Sequence, residues 1–351
     1  MVLLIKRKGE GTMAHKIKFF LILLCIFCIA SCATGQGKSS TSVLQPVSLQ
    51  LQWIPQAQFA GYYVALDKGW YRDEGIDLTI KPGGPEFNPV ELVANGKSNF
   101  GTALLADLAV AVQKEQPVIS IGQIQQRNGL YLVSRKPSKI EQPKDFIGKR
   151  VGVWRGNWEA QFNALIAKEG VSRNDITVIS QGFGMETFLK GELDVASAMI
   201  YNEFYFLIKA GMNFENLNLI DYASYGLAFP GDTLFANRQT VSSQGDLCVR
   251  MLRASIKGWQ RAVDYPEEAV DIVQKYAKSN FLDYGHQIFM IKEISRLVRT
   301  SGYPLGRPDR AAVKKMIDTL QSSGTMGGSI QPEDVYTIEF WNKVYAGGMK
   351  K

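Results

Sequence analysis

Histidine and cysteine are scarce: two His and four Cys in 351 residues. His15, Cys25 and Cys28 all fall within the first 31 positions, so only Cys32, Cys248 and His286 stand beyond them. That supply excludes a His-rich or Cys-rich metal site. It leaves a Ser-His-Asp triad with His286 alone to draw on. A disulfide is not expected either, since Cys32 has another role below. No P-loop, dinucleotide fingerprint, HExxH or GxSxG pattern occurs, which favours binding over chemistry. We therefore expect no catalytic residue, no metal and no cofactor.

What is present begins with an export signal. Lys16 and Lys18 precede an unbroken apolar run of eleven residues, 19–29. This is the length of a signal-peptide core and too short for a comfortable membrane span, which needs about 20. Ala30 and Ser31 then lead into Cys32, a pattern resembling a bacterial lipobox with Ile29 in place of the more usual Leu. Such a signal implies that Cys32 is lipidated and becomes the mature N-terminus. Met13 is a plausible start, because residues 1–12 add nothing to the signal. An uncleaved anchor helix is the alternative. Residues 33–46 are expected to be a flexible linker, with a Gly/Ser-rich run at 33–41.

Removing the signal changes the charge. The formal net charge is +7, but Lys6, Arg7, Lys8, Lys16 and Lys18 against Glu10 place about +4 of it in residues 1–31. The remainder is nearly balanced, so nucleic acid is not an expected partner. At 46% hydrophobic and 21% charged, it reads as globular and long enough for two lobes.

From residue 47 strand and helix patterns alternate. Strands are expected at 47–53, 76–81, 100–103 and 117–124, with helices between them. A second series follows with strands at 150–154, 176–180, 195–200 and 217–221. Residues 130–134 and 233–236 read as strands crossing between lobes. Beyond them the pattern is almost purely helical. Alternation of this kind implies parallel sheets covered by helices. The expected architecture is α/β: a signal over 1–32, one lobe from 47–133 plus 234–351, and a second lobe from 134–233 inserted into the first.

In such sheets ligands bind beyond the C-terminal ends of strands. After the first strand come Trp53, Gln56, Gln58 and Tyr62. The rings can stack on a flat heteroaromatic ligand, and the amides can donate and accept. Each ring has core packing as its competing role. After 150–154 come Arg155, Gly156, Asn157 and Trp158, where Asn157 can also be a simple helix cap. After 195–200 come Tyr201, Asn202 and Glu203. A carboxylate there can accept N–H bonds from an aminopyrimidine, or be a solvated first-turn Glu favoured by the helix dipole. Gly182-Phe183-Gly184 and Tyr225 are weaker candidates.

The blocks LQWIPQAQFAGYYVALDKGWYRDEGIDLTIKPGGP at 51–85, FGTALLADL at 100–108 and MIYNE at 199–203 closely resemble solute-binding proteins related to the fungal thiamine-pyrimidine synthases. The resemblance covers roughly 47–240 well and the helical remainder loosely. It implies a type II periplasmic-binding-protein fold with a ligand cleft between two α/β lobes. Exported bacterial members look like ABC-importer receptors, which implies a permease and its ATPase as partners. It also implies a thiamine pyrimidine precursor as ligand, or riboflavin in some relatives. The fungal enzymes use pyridoxal phosphate, iron and an active-site His, with the cofactor Lys and that His just after the third strand. Here residues 103–107 read ALLAD, and the region of the enzymes' Cys-rich run reads YGLAFPG at 225–231. Neither stretch supplies Lys, His or Cys. Three readings remain: a lipid-anchored pyrimidine or riboflavin receptor, a pyrimidine synthase, and a receptor for an anion such as a sulfonate or nitrate. An anion receptor would want more positive charge than Arg127 and Arg155 provide.

Overall fold

The computed structural model describes residues 43–348 apart from 85, 155–158, 183, 278–282 and 300–301. The signal, Cys32 and most of the linker lie outside the described residues.

Ten strands form two five-stranded sheets. The first contains β1 (Gln45–Gln50), β2 (Ile76–Lys81), β3 (Phe100–Leu104), β4 (Val118–Gln123) and β10 (Asp232–Asn237), in the order β2-β1-β3-β10-β4. The second contains β5 (Leu130–Arg135), β6 (Arg150–Val153), β7 (Thr177–Ser180), β8 (Val195–Met199) and β9 (Leu217–Asp221), in the order β7-β6-β8-β5-β9. The two sheets make a two-lobed α/β architecture. β3, β4 and β8 are buried along their whole length, which accounts for their near-continuous apolar character.

Three expectations need correction. The sheets are mixed, not purely parallel: β10 runs antiparallel to β3 and β4, and β5 runs antiparallel to β8 and β9. The reason is topological. The parallel strands end at the cleft, so a chain arriving from the other lobe enters each sheet at that end and must run away from it. Second, β5 belongs wholly to the second sheet. The crossings run through 124–129 and 222–231 rather than through 130–134 and 233–236. Third, β1 begins at Gln45, inside the span expected to be linker, and ends at Gln50 rather than Trp53. Pro46 is tolerated because β1 meets β3 only at Leu49 and Gln50, leaving the earlier residues at an edge.

The termination of β1 places Trp53 on a loop. Gly83 donates its N–H to the Trp53 carbonyl at 2.9 Å. A Cβ on Gly83 would lie 2.2 Å from the Leu51 carbonyl oxygen, so the backbones approach as only glycine allows.

Helices cover both sheets, and two hold the first lobe's site elements from behind. Helix Gly245–Asp264 packs on helix Ala60–Asp67 at Gly258 and Gly61. A Cβ on Gly61 would fall 2.2 Å from Trp259 Cγ, and one on Gly258 would fall 2.0 Å from the Gly61 carbonyl oxygen. Helix Tyr284–Val298 accepts the Ala57 N–H on Gln287 Oε1 at 2.7 Å. It also reaches the second lobe, where the His286 ring stacks on Tyr205 at 4.8 Å and Asp283 pairs with Lys209 at 2.7 Å. Burial lowers the His286 imidazole to about 4, so it is neutral at physiological pH. Cys248 is buried and its thiol is pushed up to about 12, chiefly by burial. No helix among the described residues is long and apolar enough to cross a membrane.

Gly61→Ala forces a methyl into the Trp259 ring. We expect a loss of about 1–3 kcal/mol in urea unfolding; an unchanged midpoint would show that the two helices can separate to admit the methyl without cost.

Candidate functional site

Between the lobes lies a narrow cavity of about 20 Å³, lined by Trp53, Gln56, Gln58, Trp154, Met199, Tyr201, Asn202 and Glu203. Each comes from a segment that follows a strand. Trp53, Gln56 and Gln58 occupy the loop and short 3-10 turn (Ala57–Phe59) after β1. Trp154 follows β6, and its indole Nε1 donates to the Gly182 carbonyl at 3.3 Å. Met199 ends β8, and Tyr201, Asn202 and Glu203 lead into helix Glu203–Lys209.

Five sequence candidates therefore meet in one place: Trp53, Gln56, Gln58, Tyr201 and Glu203. Tyr62 does not line the cavity. Its ring is buried against Trp259, edge-on at 5.8 Å and 83°, which is the core-packing role. The cause is helical spacing, which turns position 62 toward helix Gly245–Asp264. Asn157 and Trp158 lie outside the described residues, as do Arg155, Gly156 and Phe183. Tyr225 is part of a 3-10 turn (Tyr222–Tyr225) and does not line the cavity.

Glu203 is 3% exposed. Its Oε2 accepts the Met199 N–H at 2.9 Å and its Oε1 accepts the Asn202 side-chain amide at 2.6 Å. Burial raises the carboxyl to about 7, and those hydrogen bonds hold it below what burial alone would produce. Each carboxylate oxygen accepts more than one hydrogen bond, so both retain capacity toward a ligand.

The opposite wall is a run of amides. Gln56 Nε2 donates to Gln58 Oε1 at 2.9 Å, and Gln58 Nε2 donates to Asp232 Oδ2 at 2.9 Å. Asp232 is buried and its carboxyl is pushed up to about 6 by that burial, against the opposing effect of Gln58 and then Gln52. Gln52 sits beside the same carboxylate, yet its amide makes no hydrogen bond of good geometry. Asp107, in the first turn after β3, is buried too, and its carboxyl is raised by burial and then by Asp232. The Tyr201 phenol is held well above its ordinary value by burial, then by Asp232 and Glu203. One buried carboxyl, Glu203, thus lines the cavity, Asp232 stands behind Gln58 and Asp107 acts on Asp232, and no Lys or Arg lines the cavity among the described residues.

Asp232, Asp107, Trp154, Met199 and Asn202 were not singled out as site residues from sequence. Trp154, Met199 and Asn202 obey the strand-end rule and could have been found by it. Asp232 could not, because it opens the antiparallel β10 and so reaches the cleft from a strand's beginning.

The raised carboxyls set a stability trend. Glu203 has an ordinary value of 4.5 and a folded value of about 7. A group raised in the fold favours folding fully below its unfolded value, and that contribution is lost as pH rises through the folded value. The unliganded protein should therefore melt lower at pH 8 than at pH 5. Glu203→Gln should narrow that gap, by on the order of 3 kcal/mol at most. The amide is accommodated by turning Asn202 through 180°. An unchanged gap in paired melting curves would refute this assignment.

The family described as NMT1/THI5 like matches residues 56–269. A formylaminopyrimidine-binding protein of Halalkalibacterium halodurans is 24% identical over 328 residues, covering 91% of this chain and 98% of that protein. The riboflavin-binding protein RibY of Chloroflexus aurantiacus is 25% identical over 339 residues, covering 91% and 95%. Among solved structures, the periplasmic nitrate-binding protein NrtA of Synechocystis PCC 6803 superimposes with a TM-score of 0.67 at 10% identity, covering 87% of this chain and 89% of that one.

Proposed function

The chain belongs to the NMT1/THI5-like family, and on that footing we propose that it is the solute receptor of an ABC importer and captures a thiamine-type pyrimidine precursor between its lobes. A solute-binding role is supported by the two relatives it matches almost end to end, both of which are binding proteins. The observation that carries the pyrimidine reading is the cavity itself. Indole rings from Trp53 and Trp154, a carboxylate at Glu203 and amides at Gln56 and Gln58 line it, with no Lys or Arg among the described lining residues. Rings bind a flat heterocycle by stacking, and carboxylates bind its exocyclic N–H groups.

Riboflavin is the second reading, supported by the relative that binds it. An oxyanion such as nitrate or sulfonate is disfavoured because a buried anion needs a compensating charge, and the described residues that line the cavity include Glu203 and no Lys or Arg. The synthase reading is disfavoured by 103–107, which offer neither Lys nor His for cofactor and donor.

In this reading the lobes close about the crossings at 124–129 and 222–231, and the closed form is the one the permease and its ATPase engage. The receptor is exported and held at the membrane through lipid on Cys32. Multiple acyl chains make such anchoring stable where one does not.

A thermal-shift panel of formylaminopyrimidine, hydroxymethylpyrimidine, thiamine, riboflavin and nitrate tests the ligand class. We expect formylaminopyrimidine to raise the melting temperature most. Trp53→Ala should weaken its binding by on the order of 1–3 kcal/mol. A shift with nitrate alone, or none with any heterocycle, would sink the proposal. Cys32→Ser should move the protein from the membrane to the soluble fraction on cell fractionation; retention in the membrane would favour an uncleaved anchor.

A further inference from the structure

The amide chain on the first-lobe wall ends on a group that only accepts. Asp232 Oδ2 lies 2.9 Å from Gln58 Nε2, and an ionised carboxylate has no proton to give. Gln58 must therefore donate there, which turns its Oε1 toward Gln56. That oxygen also only accepts, so Gln56 must donate through Nε2, at 2.9 Å. One acceptor of the chain is left without a partner, Gln56 Oε1, beside the second hydrogen of Gln56 Nε2. Gln56 lines the cavity, so that oxygen, held on the end of the amide turned from Gln58, is the acceptor available to a ligand.

We propose that Asp232 is a specificity-determining positioning residue: through Gln58 it fixes Gln56 as a hydrogen-bond acceptor toward the cavity, so that the receptor takes heterocycles presenting an N–H or O–H donor to that wall.

The inference rests on the reading of this cavity as a pyrimidine site. It goes further in specifying the polarity of the ligand. An isolated glutamine amide turns over at little cost and offers either end, as amides in general do. A glutamine tied through a second amide to a buried carboxylate does not, because reversing one link leaves two acceptors or two donors facing each other. The surroundings hold the chain in place. Gln56, Gln58 and Asp232 are 3%, 3% and 4% exposed. The Ala57 N–H between the two glutamines is held by Gln287, and the Gln58 N–H points at the Met290 sulfur. Glu203, across the cavity, is an acceptor when ionised. A ligand donor between them meets an acceptor on either side, and a ligand that places a carbonyl or an anionic oxygen against Gln56 Oε1 leaves two lone pairs opposed. Rejection on such grounds reaches large factors when the mismatched groups are buried.

Asp232→Asn tests this. Asparagine donates as well as accepts, so the chain becomes free to run in either direction and Gln56 Nε2 can face the cavity. The probes are 4-amino-5-hydroxymethyl-2-methylpyrimidine and the isostere whose 4-amino group is replaced by a carbonyl, titrated by calorimetry at pH 8. We expect the wild type to prefer the amino compound and the variant to lose at least tenfold of that preference. An equal weakening of both compounds would make Asp232 merely structural and overturn the proposal. Neutron diffraction from a crystal of the deuterated, unliganded wild type provides a readout that needs no ligand. Deuterons on Gln56 Nε2 directed at Gln58, with Oε1 toward the cavity, support the chain as described; Nε2 toward the cavity overturns it. If neither pyrimidine binds while the deuterons stand as expected, the pyrimidine reading fails and the acceptor polarity of the wall survives.

Discussion

Everything at the site depends on the chain passing twice between two sheets and entering each one, on arrival, against the direction of its neighbours. β5 and β10 are the strands that do so, and each is flanked on both sides by strands running the other way. Because both enter from the cleft, β10 begins beside the segment that follows β1. That segment lines the cavity with Trp53, Gln56 and Gln58, and Asp232, the first residue of β10, holds Gln58 from behind.

The second constraint is electrostatic. Asp107, Glu203 and Asp232 are buried near one cavity without a lining Lys or Arg among the described residues. Burying a carboxylate is costly, and each carboxyl responds by holding its proton more tightly. A protein selected for stability alone would not place three carboxylates there. In the reading proposed above, a ligand rich in N–H donors supplies what the walls lack. The periplasmic nitrate-binding relative in structure shares the backbone arrangement at 10% identity. The shared fold says nothing of the ligand; the side chains at the strand ends carry that information.

The family resemblance rested on 51–85, and the structure shows why that block is so demanding. Gly61 admits the crossing helix, Gly83 admits the Leu51 backbone, and Gln56 and Gln58 form one wall of the cavity. Tyr62, in the same block, serves the core instead. A run of residues can therefore be distinctive of a family for packing and for binding at once, and the sequence does not label which residue does which.

The sequence by itself determined the alternation of strand and helix, the two-lobe α/β class, the scarcity of catalytic and metal-binding residues, and five residues of the cavity. These were legible because periodicity and strand-end position are local. It did not determine that Tyr62 turns inward, since a helix face has meaning only against the helix it meets. Nor could it reveal Asp232. That residue sits 174 positions from Gln58, and its partnership arises only when β10 is inserted antiparallel beside β3. Hydrogen-bond polarity along Asp232, Gln58 and Gln56 is a property of atoms brought within 2.9 Å by that insertion, and only the tertiary structure decides it.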